Sequence, residues 1–73
     1  MEGIQVGMRR SIIEALEKKY EATIAENHAE INIILNNPVG IGEHTKFIEE
    51  IDGKLEKIAA AEEKLNILVS FKF

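Results

Sequence analysis

Leu35-Asn-Asn-Pro-Val-Gly-Ile-Gly-Glu-His44 separates two long stretches whose apolar residues recur at helical spacing. Asparagine tolerates the left-handed conformation in which many helices end, and proline cannot continue the hydrogen-bond ladder, so Asn36-Asn37-Pro38 stops a helix. Beyond Pro38, Gly40 and Gly42 alternate with Val39 and Ile41. That pattern suggests an ordered turn whose apolar side chains tuck over the helix ends. His44 closes the connection and is expected to cap or pack against the start of the next helix. A short link over 37–44 between two helical stretches of similar length implies an antiparallel hairpin.

Upstream of the link, apolar residues fall at Ile13, Leu16, Tyr20, Ile24, Ile31 and Leu35. Ile13 to Ile24 and Ile24 to Leu35 are each eleven residues, or three helical turns, and the stripe they form is about 100° wide. Asn27 stands where the repeat expects an apolar side chain. Ile31, Ile33, Ile34 and Leu35 make the end of this helix apolar over more than one face. Ser11-Ile-Ile-Glu14 reads as a capping box, with serine and glutamate each satisfying a free backbone N–H of the other's position. The first helix is therefore expected over about 8–37, after a lead-in at 1–10.

Downstream, Ile48, Ile51, Leu55, Ile58, Leu65 and Val69 are spaced in a heptad rhythm, with Phe47, Ala61 and Leu68 widening one flank. Glu62 occupies a stripe position where an aliphatic residue is expected. Gly53 lies on the opposite side, where glycine costs about 1 kcal/mol relative to alanine. The second helix is expected over about 44–70. The two helices, each of about 26 residues, should each span roughly 39 Å.

The 73 residues make one small domain, 1–73, and the absence of cysteine leaves no disulfide and no thiolate metal site. A single core of this size rarely contributes more than ~3–5 kcal/mol, so self-association is the simplest remedy. The expected architecture is all-α: a two-helix hairpin that dimerises into a four-helix bundle with coiled-coil packing. Ile13, Leu16, Tyr20, Ile24, Ile31, Ile34, Leu35, Ile48, Ile51, Leu55, Ile58, Leu65 and Val69 would supply its core and interface. Asn27 and Glu62 are candidates for fixing its register, because buried polar residues commonly do so at some cost in stability. Folding the hairpin about positions 40 and 41 brings Glu62 level with Lys19 and Tyr20, so Glu62 is expected to meet one of them. Ala15, Ala22 and Ala29, seven apart, form either a second contact seam or a simple exposed helix face.

No chemistry-bearing constellation emerges. Neither His28 nor His44 has a glutamate three residues before it, as a bundle di-iron site requires. Gly40-Ile-Gly42 lacks the preceding strand, third glycine and Lys-Ser/Thr pair of a phosphate loop. Ser11, Thr23, Thr45 and Ser70 assemble with no base and orienting residue, so neither catalysis nor a cofactor or metal is expected. The net charge is −4, which counts against a nucleic-acid binder. Arg9, Arg10, Lys18 and Lys19 would carry that alternative, gathered by dimer symmetry. No apolar run approaches the ~20 residues of a membrane span, and no signal peptide is evident, so a cytoplasmic location is expected.

Three stretches together, Tyr20-Glu-Ala-Thr-Ile-Ala-Glu26, Leu35–His44 and Ile48-Glu-Glu-Ile-Asp52, resemble short uncharacterised proteins of marine cyanobacterial tailed phages. The resemblance spans residues 8–69, and Asn37-Pro-Val-Gly-Ile-Gly-Glu-His44 is its distinctive part. It implies a helical hairpin and a phage or marine metagenomic origin, with the host cytoplasm as location if phage-encoded, and brings no catalytic role. The expected function is a non-enzymatic structural or interaction module that recognises itself and a host or phage protein.

Overall fold

The computed structural model describes residues 2–36 and 44–72, with side chains over 7–36 and 46–72. Helix α1 runs Glu2–Leu35 and helix α2 runs His44–Leu68, followed by a 3-10 turn at Val69–Phe71. The two helices pack against each other as an antiparallel hairpin. The Cα atoms extend 61 × 16 × 12 Å, so the molecule is a rod one helix thick. Pro38, Gly40 and Gly42, with the rest of the 37–43 link, lie outside the described residues.

Helix α1 ends where the asparagines stop it. The backbone N–H and the side-chain amide of Asn36 both donate to the Asn32 carbonyl, at 3.0 and 2.8 Å. Its start differs from expectation. Ser11 sits inside the helix, nine residues after Glu2, so the capping box marks no N-terminus and the 1–10 segment is helical from Glu2. The Arg9 guanidinium donates to the Phe71 carbonyl, which ties the early turns of α1 to the closing 3-10 turn. An N-cap is worth only about 1 kcal/mol, so its signature does not by itself fix where a helix begins. The helices consequently differ in length, at roughly 51 and 38 Å.

Every described residue of α2 that is not exposed belongs to one series: Phe47, Ile51, Lys54, Ile58, Ala61, Leu65 and Leu68. Its steps of four and three are those of a heptad seam. Helix α1 answers with Ile13, Leu16, Glu17, Tyr20, Thr23, Ile24, Asn27, Ile31 and Ile34. The stripe on α2 is therefore rotated by one residue from the expected one. Ile51, Ile58 and Leu65 are shared. Ile48, Leu55, Glu62 and Val69 give way to Phe47, Lys54, Ala61 and Leu68 and stay exposed.

Burial of charge explains the rotation. The expected line would turn the Glu62 carboxylate, which has only two methylenes to carry its charge outward, toward the seam, and burying that charge is costly. The observed line places Ala61 there, 3% exposed, and admits only Lys54. The Lys54 stem lies along the seam while its ammonium reaches Glu30 at 2.7 Å.

Gly53 has nothing within 4 Å of where a Cβ would stand. Gly53→Ala is accordingly expected to raise unfolding stability by about 1 kcal/mol, read from urea melts followed by helicity.

Candidate functional site

In the heptad alphabet, Ile13, Tyr20, Asn27 and Ile34 occupy position a of α1. Ile51, Ile58 and Leu65 occupy a of α2. Leu16, Thr23 and Glu30 take d in α1, and Phe47, Lys54, Ala61 and Leu68 take d in α2. Antiparallel helices are related by a two-fold axis perpendicular to both, which brings the e positions of the two helices to one side and the g positions to the other. The contacts agree with this division. Glu17, at e, pairs with Lys72 on the e side. On the g side lie the Glu30–Lys54 pair, the Arg9 bond to Phe71 and the Lys64 ammonium, 5.4 Å from the centre of the Tyr20 ring.

The Glu30–Lys54 and Tyr20–Lys64 pairs are both centred on position 42. The register of these pairs is thus shifted from the one expected by folding about positions 40 and 41, and Lys64, not Glu62, comes to Tyr20. Glu62 is exposed, and none of the described hydrogen bonds or ion pairs reaches it.

Asn27 is 5% exposed and is the one buried polar residue among those described. Its amide N–H donates to the Thr23 carbonyl at 2.8 Å, one turn back on its own helix, and the Thr23 hydroxyl donates in turn to the Lys19 carbonyl at 3.0 Å. No buried side-chain nitrogen or oxygen among the described residues lacks a partner. The polar gap in the stripe is therefore satisfied within α1, and Asn27 makes no polar bond across the seam.

The other candidates do not converge. At 100° per residue, Arg9, Arg10, Lys18 and Lys19 point to four different quarters of α1, and Arg9 is engaged by Phe71. His28 is exposed, and His44 is the first residue of α2. Among the described residues no three or more His, Asp and Glu side chains come together as a metal cluster, and no helix is long and apolar enough to cross a membrane.

What the hairpin does present is uncovered apolar surface. Met8, Ile12, Ile33, Leu35, Ile48, Leu55, Ile67, Val69 and Phe71 are all more than half exposed, Ile48 at 67% and Leu35 at 66%. The two sides carry it differently. On the e side, half-buried Ile24 and Ile31 adjoin Ile48, Leu55 and, one column out, Leu35, all in the half of the rod nearest the link. The other half of that side carries Glu14, Glu17, Glu21 and Glu62. The g side is charged along its middle, through Lys19, Glu26, Lys57 and Lys64, with Ile12, Ile67 and Phe71 near its far end. Heptad labelling would have shown this sorting from the sequence, once the seam was known to pass through Ala61.

The chain matches no protein-family model, no curated protein and no solved structure.

Asn27→Leu is expected to stabilise the hairpin by about 1–2 kcal/mol in urea unfolding, because a buried polar group gives way to an apolar one and no bond across the seam is lost. The Glu30–Lys54 contact sets a pH dependence. The hydrogen bond from Lys54, then its charge, holds the Glu30 carboxyl below the usual carboxylate range. The bond to Glu30 likewise raises Lys54. The folded pKa of Glu30 is depressed, so its support is complete above the usual carboxylate value and is lost as pH falls through the lowered one. The Lys54 contribution disappears only as pH rises through its raised value. Wild type and Glu30→Gln should therefore differ in melting temperature at neutral pH and converge in acid.

Proposed function

We propose that the chain is a non-enzymatic interaction module whose hairpin associates with a second copy, bringing four helices together. One observation carries this reading: among the described residues only Ile58 and Ala61 are buried apolar side chains, while nine large ones remain exposed. Fully burying such a residue is worth about 1.5–3 kcal/mol. Covering the exposed half of even three of them, such as Leu35, Ile48 and Leu55, would contribute on the order of 3 kcal/mol, a large share of the stability of a small domain. For a chain this small without disulfides, association and folding are then one event.

The resemblance of the loop octet to phage proteins makes this module a phage accessory protein, with a host or phage protein as its further partner. The spread of Arg9, Arg10, Lys18 and Lys19 around α1 favours protein over nucleic acid as that partner.

Light scattering after size exclusion, over a hundredfold dilution and with helicity followed in parallel, tests the reading. A dimer that loses helicity as it dissociates is the expected result. A helical monomer at every concentration would overturn it.

A further inference from the structure

We propose that a second copy docks on the link-proximal half of the e side, with Leu55 and Ile31 of each chain near a two-fold axis that crosses both helices. This rests on self-association and says where it occurs.

Three observations converge on that half. First, Ile24, Ile31, Ile48 and Leu55 form an aliphatic strip along the e columns, continued by Leu35 and flanked by exposed His28 and Asp52 in the next column out, and Glu30–Lys54, Lys64–Tyr20 and Arg9–Phe71 all lie on the other side. Like surface meets like along the strip, with the polar groups at its rim. Second, charge selects the orientation. Two copies lying parallel would set the net-acidic halves side by side, with Glu14, Glu17, Glu21 and Glu62 outnumbering Arg10 and Lys72 in each. A two-fold axis across the helices overlaps only the aliphatic halves and sends the acidic halves to opposite ends. Third, the size fits a weak, reversible contact. The patch runs from the level of Ile24 to that of Leu35 and Ile48, about 20 Å of helix, and two helices side by side are roughly 22 Å wide. That is on the order of 450 Å² per copy and about 900 Å² in all, below the range of stable specific interfaces and within that of transient ones. A contact of this size forms a dimer that dissociates on dilution.

The g side offers no equal match. Its apolar residues lie at the ends, and any self-contact through its middle would have to desolvate Lys19, Glu26, Lys57 and Lys64.

Leu55→Lys and Ile67→Lys form the test pair, because their exposures are close, at 51% and 55%, while they lie on opposite sides. In light scattering, Leu55→Lys should raise the dimer dissociation constant at least tenfold and Ile67→Lys should change it less than threefold. Should Leu55→Lys fail to fold, disulfide formation decides instead. The chain has no cysteine, so Leu55→Cys should oxidise to a covalent dimer while Ile67→Cys stays largely unlinked. A wild-type dimer weakened by Ile67→Lys but not by Leu55→Lys, or cross-linked at 67 and not at 55, would overturn this site and leave self-association standing. A wild-type monomer would sink both.

Discussion

The carboxylate of Glu62 cannot enter the seam, and most of the molecule follows from that exclusion. Two lines of residues on α2 compete for the place opposite α1. The richer line, Ile48, Leu55 and Val69, contains Glu62. The poorer one, Phe47, Ala61 and Leu68, contains Lys54. A lysine at the edge of a seam can carry its charge out on four methylenes, whereas a glutamate has only two. The line with the lysine therefore packs, Lys54 reaches Glu30, and Ile48 and Leu55 of α2, with Val69 of the closing turn, stay exposed. The hairpin is held together by its second-best stripe.

That choice explains both the modest interior and the uneven exterior. A rod 12 Å thick has no second layer over either side of the seam, so whatever leaves the seam meets water. The leucine and isoleucine excluded with Glu62 join Ile24 and Ile31 on one side, while the described polar contacts between the helices collect mostly on the other. Polar fastening and apolar surface are thus segregated within a single hairpin. That arrangement suits a protein whose own fold is only part of a larger packing unit.

Much of the architecture was legible in the sequence. Two helices, the stop at Asn36 and the antiparallel return follow from spacing and from Pro38. Ile13, Leu16, Tyr20, Ile24, Ile31 and Ile34 lie on the α1 side of the seam, and Ile51, Ile58 and Leu65 on the α2 side. Helix limits were less accessible. Ser11 carries a cap signature, yet the helix runs through it from Glu2, beside a contact of Arg9 with Phe71 sixty-two residues away. The rotation of α2 could not be settled by hydrophobicity, since the losing line is the more hydrophobic. It depended on weighing Glu62 against Lys54 as the charge to be accommodated. The pairing of Tyr20 with Lys64 followed from the register of the two helices, which spacing alone leaves uncertain by a residue or two.

The local bonding of Asn27 has a further consequence. A buried amide that reached across to α2 would lock the two helices in one alignment wherever the protein was dissolved. Because Asn27 turns back to Thr23, nothing polar inside the seam performs that task. Alignment rests on Phe47, Ala61 and the other seam shapes, and on the ionic contacts at the margin, Lys54 with Glu30 and Lys72 with Glu17. Charges at the margin are screened within about 10 Å at 0.1 M salt, while apolar packing is not. Salt therefore loosens the margin and leaves the seam as it is, so the alignment of the two helices is chiefly a matter of side-chain shape.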